Sequence, residues 1–120
     1  MSFFRRIIII CFVFYPMLAK AAFIDGMSDI PLMDGTKQIH SANISFGNDE
    51  SRFDEAYVSA SRIGFEKVAD FYKNTLPQLG WSFVKMQDDA LHFERESEVL
   101  DIALEKRNPL LVRFTLKSKD

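Results

Sequence analysis

Between Ile63 and Gly80 the apolar residues of this chain recur at steps of three and four, whereas on both sides of that stretch they alternate. Phe65, Val68, Phe71, Tyr72, Thr75, Leu76 and Leu79 make one stripe of an amphipathic helix. Ser61 or Gly64 can start it, and Glu66 in the first turn suits the positive end of the helix dipole. Pro77 removes a backbone donor and crowds the preceding turn, so the regular helix should weaken around Asn74–Leu76 and finish in a tight turn. Gly80 is then the left-handed cap, and Trp81 the large apolar residue that packs back on the helix end.

The flanking segments read as strands. Gln38–Phe46 alternates weakly, Gly47–Glu50 is a turn, and Arg52–Ser61 places Ala56, Val58 and Ala60 opposite Tyr57 and Ser59. After the helix come four short alternating runs. Trp81–Met86 sets Trp81, Phe83 and Lys85 against Ser82, Val84 and Met86. Ala90–Glu96 turns Leu91 and Phe93 inward and His92 and Glu94 outward. Val99–Lys106 carries Leu100, Ile102 and Leu104 on one face. Leu110–Lys117 carries Leu110, Val112, Phe114 and Leu116. The breaks between them, Gln87–Asp89, Ser97–Glu98 and Arg107–Pro109, are short, which makes consecutive strands antiparallel neighbours. The expected fold is therefore an α+β two-layer domain, mainly an antiparallel sheet of five to six strands covered by one helix, in the order β-β-α-β-β-β-β.

Two segments precede it. Residues 1–21 have the layout of a secretory signal peptide: Arg5 and Arg6 in the head, the apolar run Ile7–Leu18, and small residues at Ala19 and Ala21. The run is about twelve residues, where a membrane span needs roughly 20, so cleavage near Ala21 and a periplasmic destination are expected. The alternative is an uncleaved anchor. Residues 22–37 form an extended arm. Phe23, Ile24, Met27, Ile30, Leu32 and Met33 make it too apolar for a free linker, so it should lie on the domain of residues 38–120. Because alternate side chains of an extended backbone point to opposite sides, Ile30 and the Leu32–Met33 pair cannot all be buried against one surface, so at least one of them should stay partly exposed.

Charge and cysteine usage narrow the function. Without Arg5, Arg6 and Lys20, twelve basic residues face seventeen acidic ones, a net of minus five. That surface excludes the basic patches nucleic acid demands, and with the leader removed there is no polybasic or apolar hold on a membrane. The only cysteine, Cys11, is in the leader. The mature domain thus lacks a disulfide, a thiol nucleophile and a thiolate metal site.

The segments Asp29-Ile30-Pro31-Leu32-Met33-x-Gly35, Phe71-Tyr72-x-x-Thr75-Leu76-Pro77-x-Leu79-Gly80-Trp81, Phe93–Glu96 and Val112–Leu116 resemble a family of small exported proteins of unknown function from Gram-negative bacteria. The likeness spans nearly all of the mature chain. Its most specific piece, Phe71–Trp81, is also a helix-end signature, so it speaks for fold; the resemblance implies no catalytic residues and no cofactor.

Polar candidates are few. His40 and His92 are the only imidazoles, and a metal site would need a third ligand. Asp25, Asp29 and Asp34 supply hard oxygens without the spacing of a calcium loop. Ser59 and Ser61 have no nearby base. Glu94, Glu96 and Glu98 recur every second residue, so the first two should share a strand face and the third begin a turn. No catalytic, cofactor-binding or metal-ligating set emerges. The expectation is a non-enzymatic module that binds a protein or small ligand of the cell envelope through the open sheet face or the arm. The alternative is a small hydrolase or acid–base enzyme using His92 with Glu94 or Glu96.

Overall fold

The computed structural model describes residues 22–45 and 52–119. The leader, Phe46 and the Gly47–Glu50 turn lie outside the described residues. The strands are β1 (Phe23–Ile24), β2 (Met27–Pro31), β3 (Lys37–Ser45) and β4 (Arg52–Ala60), followed after the helix by β5 (Ser82–Gln87), β6 (Ala90–Arg95), β7 (Glu98–Arg107) and β8 (Leu110–Ser118). Helix α1 (Phe65–Thr75) runs directly into a 3₁₀ turn at Leu76–Leu79.

Six strands form one antiparallel sheet in the order β3-β4-β8-β7-β6-β5. The last four strands fold back as a meander until β8 pairs with β4. Helix α1 carries the chain from β4 across one face to the far edge, where β5 begins. Among the described residues the chain thus forms an α+β two-layer domain with one helix.

The alternation of the strands decides which face is covered. Ala56, Val58, Leu91, Phe93, Leu100, Ile102, Leu110, Val112, Phe114 and Leu116 all lie buried on the helix side, and Phe65, Val68, Ala69, Tyr72 and Leu76 of the helical segment meet them. Each fully buried aliphatic or aromatic side chain contributes about 1.5–3 kcal/mol relative to exposure.

The helix ends as its residues dictate. Gly64 is the N-cap without a side-chain hydrogen bond, so the helix start relies on Glu66 and on the burial of Phe65. Pro77 falls in the 3₁₀ turn, and Gly80 takes the left-handed conformation with φ of 95°. The Trp81 N–H reaches back to the Leu76 carbonyl at 3.1 Å and the Gly80 N–H to Pro77 at 3.3 Å. These are the two bonds of a Schellman motif, with Trp81 packed on the helix end.

The arm is more regular than the sequence suggested. Asp25 and Gly26, the latter at φ 89°, turn the chain so that β1 pairs with β2 as a small hairpin. Ile24, Met27 and Ile30 from this hairpin are buried in the main core, while Leu32 and Met33 are only partly covered. An extended backbone could not bury Ile30, Leu32 and Met33 all against one surface, and Ile30 is the one that is fully buried. The Tyr72 hydroxyl donates to the Pro31 carbonyl at 2.6 Å, and Gln38 exchanges hydrogen bonds with the Asp25 backbone at 2.8 and 3.3 Å.

Two strand assignments change. Trp81 precedes β5, and the register of β5 on β6 slips between Phe83 and Lys85. Phe83 is opposite Phe93, Lys85 opposite His92 and Met86 opposite Leu91. The extra residue, Val84, resets the alternation. Lys85 therefore joins the open face and Met86 the helix face, the reverse of simple alternation. The β6–β7 turn is Glu96–Ser97 rather than Ser97–Glu98, because Arg95 and Glu98 are cross-strand partners.

Candidate functional site

Arg95 ties the molecule together at one end of the sheet. Its guanidinium lies 4.3 Å from the centre of the Trp81 ring. It ion-pairs with Asp29 of β2 and with Glu98 of β7, the latter at 3.0 Å, and donates to the Leu79 carbonyl at 3.3 Å. One side chain thus joins the arm, the helix end and two strands. Burial works against its charge, but Asp29 and Glu98 outweigh burial and hold the proton more tightly than usual. Beneath it Trp81 is buried, and its indole Nε1 has no hydrogen-bond partner among the described residues.

Beside this cluster is an open depression of roughly 460 Å³, lined by Ser82, Glu94, Arg95, Glu96 and Lys119 with the Leu79–Gly80 turn. Lys119 pairs with Glu94 at 3.0 Å. Glu96 is exposed at the tip of the β6–β7 hairpin, with φ of 51°. A second hollow, of about 10 Å³, lies under α1 among Val58, Ala60, Val68, Tyr72 and Val112. It is apolar and at the lower limit for a single water.

The histidines fall elsewhere. His92 projects on the open face, where its Nδ1 is 2.6 Å from Asp101 Oδ1 on the neighbouring strand. Its partner is Asp101, a residue that spacing along the chain does not point to, because cross-strand register sets the pair. Glu94 shares that face but turns to Lys119, and Glu96 has left the strand for the turn. Glu94 is on the sheet face, but Glu96, expected to share it, is in the hairpin tip, and Glu98, expected to begin the turn, is inside β7 bound to Arg95. A two-residue turn fixed by the Arg95–Glu98 pair breaks the period.

The other candidates are dispersed. His40 holds a position in β3 opposite Tyr57, and its side chain lies outside the described residues. Asp25 and Asp34 are in exposed turns, and Asp29 is bound to Arg95. Ser59 is half-buried on β4 and Ser61 exposed beyond it. Among the described residues no group of three or more His, Cys, Asp or Glu side chains is placed to hold a metal ion, and no helix is long and apolar enough to cross a membrane.

The feature that alternation concealed is the outer strand. All six residues of β5 are exposed, and three of them are large and apolar: Phe83 at 40 %, Val84 at 48 % and Met86 at 47 %. No family model, curated protein or solved structure matches this chain. What it does has to be read from its own surface. Six strands span about 24 Å between the outermost axes. A helix about 10 Å across and a two-stranded hairpin cannot roof all of it. β5 is left outside this roof, and among the described residues its ladder groups are unpaired on one side.

Proposed function

We propose that this chain is an exported, non-enzymatic protein-interaction module of the periplasm, and that it engages its partner by strand addition at β5. The observation that carries the reading is the outer strand itself: a sheet edge unpaired among the described residues, with Phe83, Val84 and Met86 exposed along it. An extended segment can complete the β5 ladder through its backbone and lay alternate side chains against the exposed apolar groups, the usual physics of β-augmentation. Export rests on the leader, with the mature chain expected to begin at Ala22. The carbonyl of that residue accepts a hydrogen bond from Leu32 at 2.8 Å, so the hairpin of the arm is closed from Ala22 onward.

The test is a titration of the mature domain with a capped, uncharged heptapeptide alternating valine and threonine, followed by backbone amide shifts. The expected response is confined to β5 and the adjoining residues of β6. Shifts on the His92–Asp101 face alone, or none at all, defeat the reading.

A further inference from the structure

The depression at the start of β5 says which strand the edge prefers. Because β5 runs from Ser82 to Gln87, an added antiparallel strand runs the other way, and its C-terminal residues arrive beside Ser82, at the rim of the depression. Antiparallel pairing is the slightly more stable arrangement and matches the rest of the sheet. The charges waiting there do not cancel. Arg95 is already engaged by two carboxylates, Asp29 and Glu98, and Lys119 by Glu94. Among the described residues Glu96 is the exposed charge left over in this lining, so the end of the groove is acidic. The rest of the mature domain, with twelve basic against seventeen acidic residues, adds to the same sign.

We infer that the partner is an extended peptide segment with a lysine or arginine near the C-terminal end of the added strand, its apolar side chains on Phe83 and Met86 and its cation in the depression beside Glu96. This rests on the strand-addition reading above. A second copy of this chain fits the same edge poorly. It would bring another net-acidic surface to it, and the Val84 bulge and Lys85 are the devices by which sheet edges resist pairing with one another. A short basic segment avoids the first of these, since it brings the opposite charge, and it meets the bulge with a single flexible strand rather than a second rigid sheet edge.

The experiment compares three capped heptapeptides alternating valine and threonine: one ending in lysine, one ending in glutamate, and the uncharged parent. Binding to the mature domain is measured by fluorescence anisotropy at low and high salt. The lysine peptide should bind about three- to tenfold more tightly than the glutamate peptide, the size of one or two exposed charge pairs. The gap should close at 1 M salt, where charges are screened beyond about 3 Å. Glu96→Lys should abolish or reverse the preference at low salt. Glu96→Gln, which keeps the shape of the side chain, should remove part of it. Equal affinity for the two charged peptides, or a preference that survives Glu96→Lys, overturns the inference while strand addition stands. Failure of all three peptides to bind overturns the strand-addition reading itself.

Discussion

Trp81 and Phe83 are two residues apart on the same side of the sheet, yet Trp81 is 2 % exposed and Phe83 40 %. Both are aromatic, and alternation places them together. What separates them is what lies above. Trp81 closes the Schellman turn, backs onto the helix end and is roofed by Arg95, which the arm and β7 hold in place. Phe83 extends past the roof. It meets Phe93 edge-on at 5.4 Å between centroids and has the Lys73 ammonium 5.7 Å from its ring centre, with solvent on its outer side. Hydrophobicity selects the face of a strand; the extent of the covering layer decides whether that face is buried.

The largest effect should follow from emptying the covered position. Trp81→Ala is expected to cost about 3–5 kcal/mol, the range for deleting a buried large aromatic. Trp81→Phe keeps a ring under Arg95 and removes the unpartnered indole N–H, so it should cost less than half as much. Urea denaturation of the three proteins checks both. A loss below about 1 kcal/mol for Trp81→Ala would place the indole outside the core and erase the contrast with Phe83.

Tyr72 sharpens the comparison from the arm's side. Its ring is buried edge-on against Phe114 and Phe71, with its hydroxyl on the Pro31 carbonyl. Burial pushes its phenol well above the usual tyrosine range. The folded protein therefore keeps a proton that the unfolded chain releases above about pH 10. Stability from this group is complete below that pH and falls by about 1.4 kcal/mol per unit above it, because the folded state then binds more protons. Tyr72→Phe should cost about 1–2 kcal/mol at pH 7, where it leaves the Pro31 carbonyl without its donor. The deficit should shrink between pH 10 and 11, as the wild type loses stability that the variant never had. A deficit that stays constant across that interval would mean the phenol reaches solvent and the arm is loosely docked.

The same contrast shows how much of the molecule could be read in the residues. The helix stripe, the stop at Pro77–Gly80 and the alternation of Leu91–Phe93, Leu100–Ile102 and Leu110–Leu116 are local, and local periodicity is what a sequence displays. So is the rule that Ile30, Leu32 and Met33 cannot all be buried against one surface, which follows from extended geometry; which of them goes in does not. Register is not local. The slip at Val84 that moved Lys85 and Met86, the pairing of His92 with Asp101 and the Arg95–Glu98 pair that shifted the hairpin turn all depend on which residue of another strand stands opposite. Strand order escaped the reading for the same reason: nothing within Ser82–Gln87 announces that it ends at the edge. The candidate surface was missed because Phe83 and Met86 have the composition of a core strand and only the width of the sheet leaves them uncovered.

The smallest effect should come from Phe83. Truncating Phe83→Ala removes its contact with Phe93, worth about 0.5–1.5 kcal/mol beyond area burial for a well-formed aromatic pair, and a weak cation–π contact with Lys73. It removes little apolar surface from shelter, because much of the ring is already in water. A cost of about 1 kcal/mol is expected, less than a third of the Trp81→Ala loss, with the urea midpoint independent of protein concentration. A cost near that of Trp81→Ala would show that the β5 edge is covered in solution. A midpoint that rises with concentration would then identify the cover as a second copy of the chain, since association stabilises only the folded form. A midpoint unmoved by concentration would place the cover within the chain. In either case the uncovered strip would cease to exist as a free surface, and the binding assigned to it would have to be sought elsewhere.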